Sequence, residues 1–121
     1  MELQRIDRVF SICLIESTKH IDLTQEFVFL QKTADELSLV CESSCAPPNA
    51  IKVDTGWKAL RVSGQLDFNQ VGVIAGIANI LAGAGISIFV ISTFNTDYVL
   101  IKAENYEKAI GELVCNGYVV K

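Results

Sequence analysis

From Phe68 to Thr96 the chain carries no charged side chain, and residues 71–94 read VGVIAGIANILAGAGISIFVISTF. As one helix this stretch is long enough to cross a bilayer. Three features oppose that reading. Gly83-Ala84-Gly85 is a helix terminator in mid-segment, and β-branched Ile86, Ile88, Val90 and Ile91 follow it as strand formers. The flanks are Asp67 and Asp97, with no clustered Lys or Arg to set an orientation. The run therefore reads as a buried helix over 71–83 followed by a buried strand, with no membrane partner. Gly72-x-x-x-Gly76 is then a close-packing device.

The remaining elements fall around this pair. Residues 9–16 and 58–66 alternate as half-buried strands, with Leu60 and Val62 on one face and Arg61 and Ser63 on the other. In the helix, Ile74, Ile77, Ile80 and Leu81 form one apolar stripe. Residues 86–94 and 97–103 form a hairpin around Asn95-Thr96. Asn105 caps a second helix with Glu107 in its first turn, and Tyr106, Ala109, Ile110 and Leu113 face inward. Asn116-Gly117 ends that helix, and Tyr118-Val119-Val120 makes a last strand. The second half is thus β-α-β-β-α-β, the ferredoxin-like order of an α+β domain.

The first half repeats part of the plan. FVFLQKTADELSLVC (27–41) aligns with IFVISTFNTDYVLIK (88–102) at an offset of 61. Residues 17–26 are too few for a long crossover helix, and 43–57, with Pro47-Pro48 and Gly56, reads as a joining loop. The expected organisation is a truncated N-terminal copy over 1–56 and a complete C-terminal copy over 57–121, with antiparallel sheets and helices on one face.

Composition narrows the function. Of 121 residues 50% are hydrophobic and 20% charged, which excludes a disordered chain. The net charge is −4 and no basic stripe exists to neutralise phosphates, so no nucleic-acid partner is expected. YVLIKA lacks the basic-aromatic pattern of RNA-binding sheets. The N-terminus has no basic segment leading into a long apolar one, so a cytoplasmic, reducing compartment is expected. Cys13, Cys41, Cys45 and Cys115 then read as free buried thiols. Cys41 and Cys45 form C-x3-C without a second pair, and His20 is the single histidine, so neither a metal site nor a catalytic triad is expected. Phosphate-cradling glycine motifs are absent, and no cofactor is expected.

The run SGQLDFNQVGVIAGIANILAGAGISIFVISTFNTDYVLIK resembles the ACT domains, small regulatory modules that bind amino acids in many biosynthetic enzymes. More closely, TADELSLVC (33–41), Trp57, GQLDF (64–68), VGVIA (71–75) and STFNTDY (92–98) are similar to the stand-alone tandem-ACT family. That family is related to the regulatory region of aspartate kinases and to the eukaryotic cytosolic arginine sensor. The resemblance implies a ligand held between ACT units, bordered by the start of the 71–83 helix and by the 92–98 segment. The chain departs from the arginine sensor in having one tandem pair, and in Tyr98 and Asn69-Gln70, which lie in the specificity region.

The residues themselves offer matching chemistry. An amino acid needs receivers for a carboxylate and an ammonium. The helix start at Val71, Gly72, Val73 and Ile74 presents backbone N–H groups at a positive dipole end, and Gly72 has no side chain to block the approach. Asp67 is placed to accept from an ammonium, with Phe68 and Asn69 beside it. Ser92, Thr93 and Asp97 bracket the hairpin, and Phe94 is a wall. Each has a plainer reading: Asp67 and Asn69 as helix caps, Ser92 and Thr93 as ordinary strand residues, Asp97 as the start of a strand, Gly72 and Gly76 as packing devices, Trp57 as a core or interface anchor. The expectation is a regulatory amino-acid sensor that is not an enzyme; the alternative is a module that only oligomerises or docks a partner. The 71–83 helix has no charge on any face, and its second face is Ala75, Ala78, Asn79 and Ala82. A face of that kind calls for a homo-oligomer, most simply a dimer.

Overall fold

The structure is a computed structural model and describes residues 1–64 and 71–121. Its elements are β1 (Glu2–Ile15), β2 (Val28–Lys32), β3 (Leu37–Glu42), a short 3-10 turn (Ser43–Cys45), β4 (Lys52–Val62), α1 (Val73–Gly83), β5 (Phe89–Ser92), β6 (Asp97–Lys102), α2 (Ala103–Cys115) and β7 (Val119–Val120). They divide into two compact units, Met1–Asp7 with Lys58–Lys121, and Arg8–Trp57. β1 and β4 each supply residues to both.

In the first unit β4-α1-β5-β6-α2-β7 gives the expected α+β order. Its strands lie in the order β7-β1-β4-β6-β5. β7 runs parallel to β1, with Glu2 opposite Val119 and Leu3 opposite Val120, and β5 and β6 are antiparallel. In the simple ferredoxin-like plan the last strand lies beside the first; here the start of β1 takes that place. Lys121 N–H donates to the Leu3 carbonyl at 2.9 Å, and Ser63 N–H donates to that of Glu2 at 3.0 Å. Leu3, Leu60, Val62, Val99 and Ile101 on the sheet pack against Ile77 and Leu81 of α1 and Tyr106, Ala109 and Leu113 of α2. The helical residues are spaced at i, i+3, i+4 or i+7, which sets each apolar stripe toward the sheet. The Tyr106 hydroxyl, buried in this core, donates to the Ala59 carbonyl at 2.7 Å. A Cβ at Gly76 would sit 3.0 Å from the Tyr118 hydroxyl, so close packing does govern that glycine. Gly85, at φ +74°, turns the chain so that Ile86 N–H reaches back to the Leu81 carbonyl at 2.9 Å.

In the second unit the order is β2-β3-β1-β4. β1 pairs antiparallel with β3 from Phe10 opposite Glu42 to Ile15 opposite Leu37, and β2 pairs with β3 from Val28 opposite Cys41 to Lys32 opposite Leu37. Cys13, Ile15, Leu39 and Cys41 form its core, with Ile21, Val28 and Ala46 against them. Phe10 meets Phe27 edge-on at 5.8 Å, and Arg8 lies over Phe27 while pairing with Glu26 and Glu42. Buried Ser11 is satisfied by Ser43 and Thr55 at 2.8 and 3.0 Å.

Several expectations change. β1 begins at Glu2, ahead of the expected strand over 9–16. Residues 52–57 belong to β4, so the joining loop is shorter than 43–57. β4 ends at Val62, short of the expected 66. α2 begins at Ala103 with Lys102 before it and no side-chain cap; Asn105 lies inside its first turn, where Glu104 is the acid facing the positive helix end. Finally, the two hairpins correspond at an offset of 60, not 61. The turn Thr33–Glu36 closes with Thr33 N–H on the Glu36 carbonyl at 3.0 Å, and the turn Thr93–Thr96 closes the same way at 2.8 Å. Residues 37–42 and 97–102 then share one burial pattern, position for position. A shift of one residue would put every side chain on the opposite face.

Candidate functional site

The end of the first unit where β4 finishes is built by the β5-β6 turn. The Thr96 hydroxyl, buried in this end, donates to the Val62 carbonyl at 2.8 Å and ties the turn to β4. The Thr93 hydroxyl donates to the Thr96 carbonyl at 3.0 Å, so the turn is held from inside. Ser92 and Asp97 are opposite one another in the ladder, and the Ser92 hydroxyl donates to Asp97 Oδ1 at 2.5 Å. Val99 lies in the core under the helices, so alternation puts Asp97 and Ser92 on the helix side of the sheet and Tyr98 with Ile91 on the other. Of the residues expected here, Ser92 and Asp97 are thus brought together. Thr93 holds the turn, and Phe94 projects from it at 75% exposure.

α1 starts near by in sequence. Gly72 precedes it in the left-handed region at φ +80°, and among the described residues no side chain caps the helix. The Gly72 carbonyl accepts the Gly76 N–H at 2.9 Å. Val73 and Ile74 turn their side chains to the core, leaving only backbone N–H groups for a ligand. Val71 is 92% exposed. A Cβ at Gly72 would meet open space, so the backbone angle, not crowding, is what demands glycine there. Asp67, Phe68 and Asn69, the other residues expected in the site, lie outside the described residues.

Sequence reading overlooked a cluster on the opposite side of the same turn. Arg61, Gly64, Thr93, Asn95, Thr96 and Tyr98 line a cavity of about 370 Å³. Arg61 sits on β4 between Leu60 and Val62, both in the helix-side core, so its own side chain is on the helix-free side. Its Nε is buried and has no hydrogen-bond partner among the described residues. The only sequence signal was the alternation itself, which marks Arg61 as outward-facing and reads equally as solvated.

Elsewhere the four cysteines are free thiols, but only two of them are buried as expected. Cys13 and Cys41 are buried, Cys45 half-buried and Cys115 exposed, all unlinked. Burial pushes the Cys41 thiol up to about 12 and moves Cys13 in the same direction. Among the described residues no three His, Cys, Asp or Glu side chains are grouped to hold a metal. No helix there is long and apolar enough to cross a membrane.

A family model described as ACT domain matches residues 52–113. The chain belongs to the ACT domain family. The match begins with β4 and runs through α2, so the ACT segment contains both the β4 end and the β5-β6 turn. The human protein named cytosolic arginine sensor for mTORC1 subunit 1 is 42% identical to this ACT protein over 59 residues, which are 48% of this chain and 17% of the sensor. The chain thus spans less than a fifth of the length of the curated relatives it matches. An X-ray structure of a protein from Agrobacterium tumefaciens superposes with a TM-score of 0.86 at 28% identity, covering 99% of this chain and 91% of that one. A crystal structure of aspartokinase alpha and beta subunits superposes with a TM-score of 0.64 at 16% identity, covering 93% of this chain and 95% of that one. At that identity it speaks for the fold alone.

Proposed function

We propose that this ACT protein is a regulatory amino-acid sensor, not an enzyme, working in the cytoplasm. The observation that carries the reading is a β5-β6 turn anchored through Thr96 to the end of β4, in a unit whose α1 starts with no side-chain cap among the described residues. The N–H groups after Gly72 receive the α-carboxylate. Asp97, held by Ser92, receives the ammonium through its remaining oxygen, with Asp67, Phe68, Asn69, Thr93 and Phe94 around the ligand. The name of the arginine sensor supports amino-acid sensing as the activity.

The organisation that goes with it is a tandem one, with residues 1–56 as a truncated ACT-like copy and 57–121 as the complete domain. The ligand bridges ACT units of a homodimer and favours one arrangement of them over another. Exposed Val71 and Phe94 and the uncharged exposed face of α1 are the apolar surface that such a dimer covers.

A thermal-shift panel of the twenty amino acids tests this, because a ligand of the folded state raises the melting temperature. One or a few amino acids should raise it, and Asp97→Ala should weaken the response while the variant still folds. If none of the twenty shifts the unmodified protein, the sensor reading is wrong and the alternative, a module that only oligomerises or docks, takes its place.

A further inference from the structure

The cavity beside the β5-β6 turn has an unusual balance of groups. Arg61 brings a permanent positive charge, and Thr93, Thr96, Asn95 and Tyr98 bring hydroxyl and amide groups, but no carboxylate lines it among the described residues. Arg5, Arg8 and Lys121 each pair with a carboxylate, whereas Arg61 enters no ion pair among the described residues. A half-buried guanidinium without a counter-charge, its Nε enclosed and unsatisfied, is a standing cost of folding. Such a cost is removed when an anion arrives, because a carboxylate matches the fork of an arginine in a bidentate pair. The cavity's volume lies in the range of small-molecule sites.

We propose that Arg61 receives a second carboxylate of the ligand, so that this sensor takes a dicarboxylic amino acid of the aspartate or glutamate class. The proposal rests on the sensor reading above. Thr93 links the two, since it belongs to the turn beside Asp97 and also lines the Arg61 cavity. The ligand lies across the turn, its amino and α-carboxyl groups toward α1 and its side chain toward Arg61. A cationic side chain would instead face a like charge, with no acid lining the cavity among the described residues.

Titration calorimetry with L-aspartate, L-glutamate, L-glutamine, L-leucine and L-arginine, on the unmodified protein and on Arg61→Met and Arg61→Lys, tests this. One acidic amino acid should bind tighter than glutamine, leucine and arginine. Arg61→Met should weaken it about 10- to 100-fold, as expected for a lost charged hydrogen-bonding partner. Arg61→Lys, which keeps the charge and loses the fork, should fall between. Circular dichroism melts on both variants establish that they fold; if Arg61→Met does not, Arg61→Lys and the ligand ranking decide. Binding of arginine or a neutral amino acid in preference to both acids, or unchanged acid affinity in a folded Arg61 variant, overturns the proposal and leaves the sensor reading standing. No binding of any amino acid in the thermal-shift panel overturns both.

Discussion

Thr96→Val isolates the bond that fixes the site. The two side chains have nearly the same shape, so the change acts chiefly by removing the hydroxyl. In the parent that hydroxyl donates to the Val62 carbonyl at 2.8 Å from a buried position. Its loss strands an acceptor where water has little access, at a cost of about 1–2 kcal/mol. With a urea slope of about 1–2 kcal/mol per molar, typical of small proteins, the unfolding midpoint should fall by roughly 1 M. Thr93→Val is the internal control. It removes a bond of similar length, 3.0 Å to the Thr96 carbonyl, but from an exposed side chain that water can replace. That variant should lose under about 0.5 kcal/mol, in line with surface substitutions. The assay is urea unfolding followed by far-ultraviolet circular dichroism, with the slope checked for constancy. A Thr96→Val protein as stable as the parent, or a Thr93→Val protein that loses as much, would refute the argument that burial makes this bond the anchor.

Two glycines separate backbone strain from space. Gly72→Ala should cost about 1–2 kcal/mol because φ is +80°, although nothing would touch the new methyl; Gly83→Ala, inside α1 and also open, should gain about 0.5–1 kcal/mol, and thermal melts read both signs. Folded protein at neutral pH should give up Cys115 to a maleimide first and Cys45 more slowly, while Cys13 and Cys41 react only on unfolding; early modification of Cys41 would contradict its buried, protonated state. Because its folded-state pKa is raised, that thiol supports stability fully below pH 9 and loses the support as pH rises from 9 toward 12, so alkaline melts should fall more steeply for the parent than for Cys41→Ala. Glutamates at exposed Ala75 and Ala82 of α1 should split the proposed dimer in light scattering without unfolding the monomer, and a monomeric parent at micromolar concentration would remove that assembly.

What was legible in the residues follows from periodicity. α1 and its stop at Gly85, the β5-β6 hairpin, and the inward set Tyr106, Ala109 and Leu113 all carry clean 2- or 3.6-residue patterns, and the structure has them. β1 does not carry one: its buried positions begin Leu3, Ile6, Phe10, a spacing closer to a helix than a strand, so its first turn of sheet was passed over. The start of β4 was lost for a different reason. Lys52, Val53, Asp54 and Thr55 are all exposed, so no face alternates, and Gly56 at φ +86° reads as a loop residue. The offset of 61 matched apolar identities between the hairpins, whereas the structure matches faces, which differ from identities by one step. For the site, Ser92 and Asp97 were visible as polar residues flanking a turn. Arg61 and Thr96 were not, because what distinguishes them is the lack of a counter-charge among the described residues and a buried hydroxyl, and neither leaves a trace in residue type.

The lodging of Glu2–Asp7 between β7 and β4 sets an order of events during synthesis. Glu2 leaves the ribosome more than a hundred residues ahead of Val119, its ladder partner, and the Lys58–Val62 part of β4 emerges only after the whole of Arg8–Trp57. The second unit has all its residues in hand early and is free to assemble while translation continues. The first unit holds one finished strand in waiting and cannot close until β7 arrives, so its maturation comes after that of the second unit. A short fragment starting at Trp57 would never receive that strand. Supplied separately, a peptide of the first seven residues is the piece such a fragment lacks.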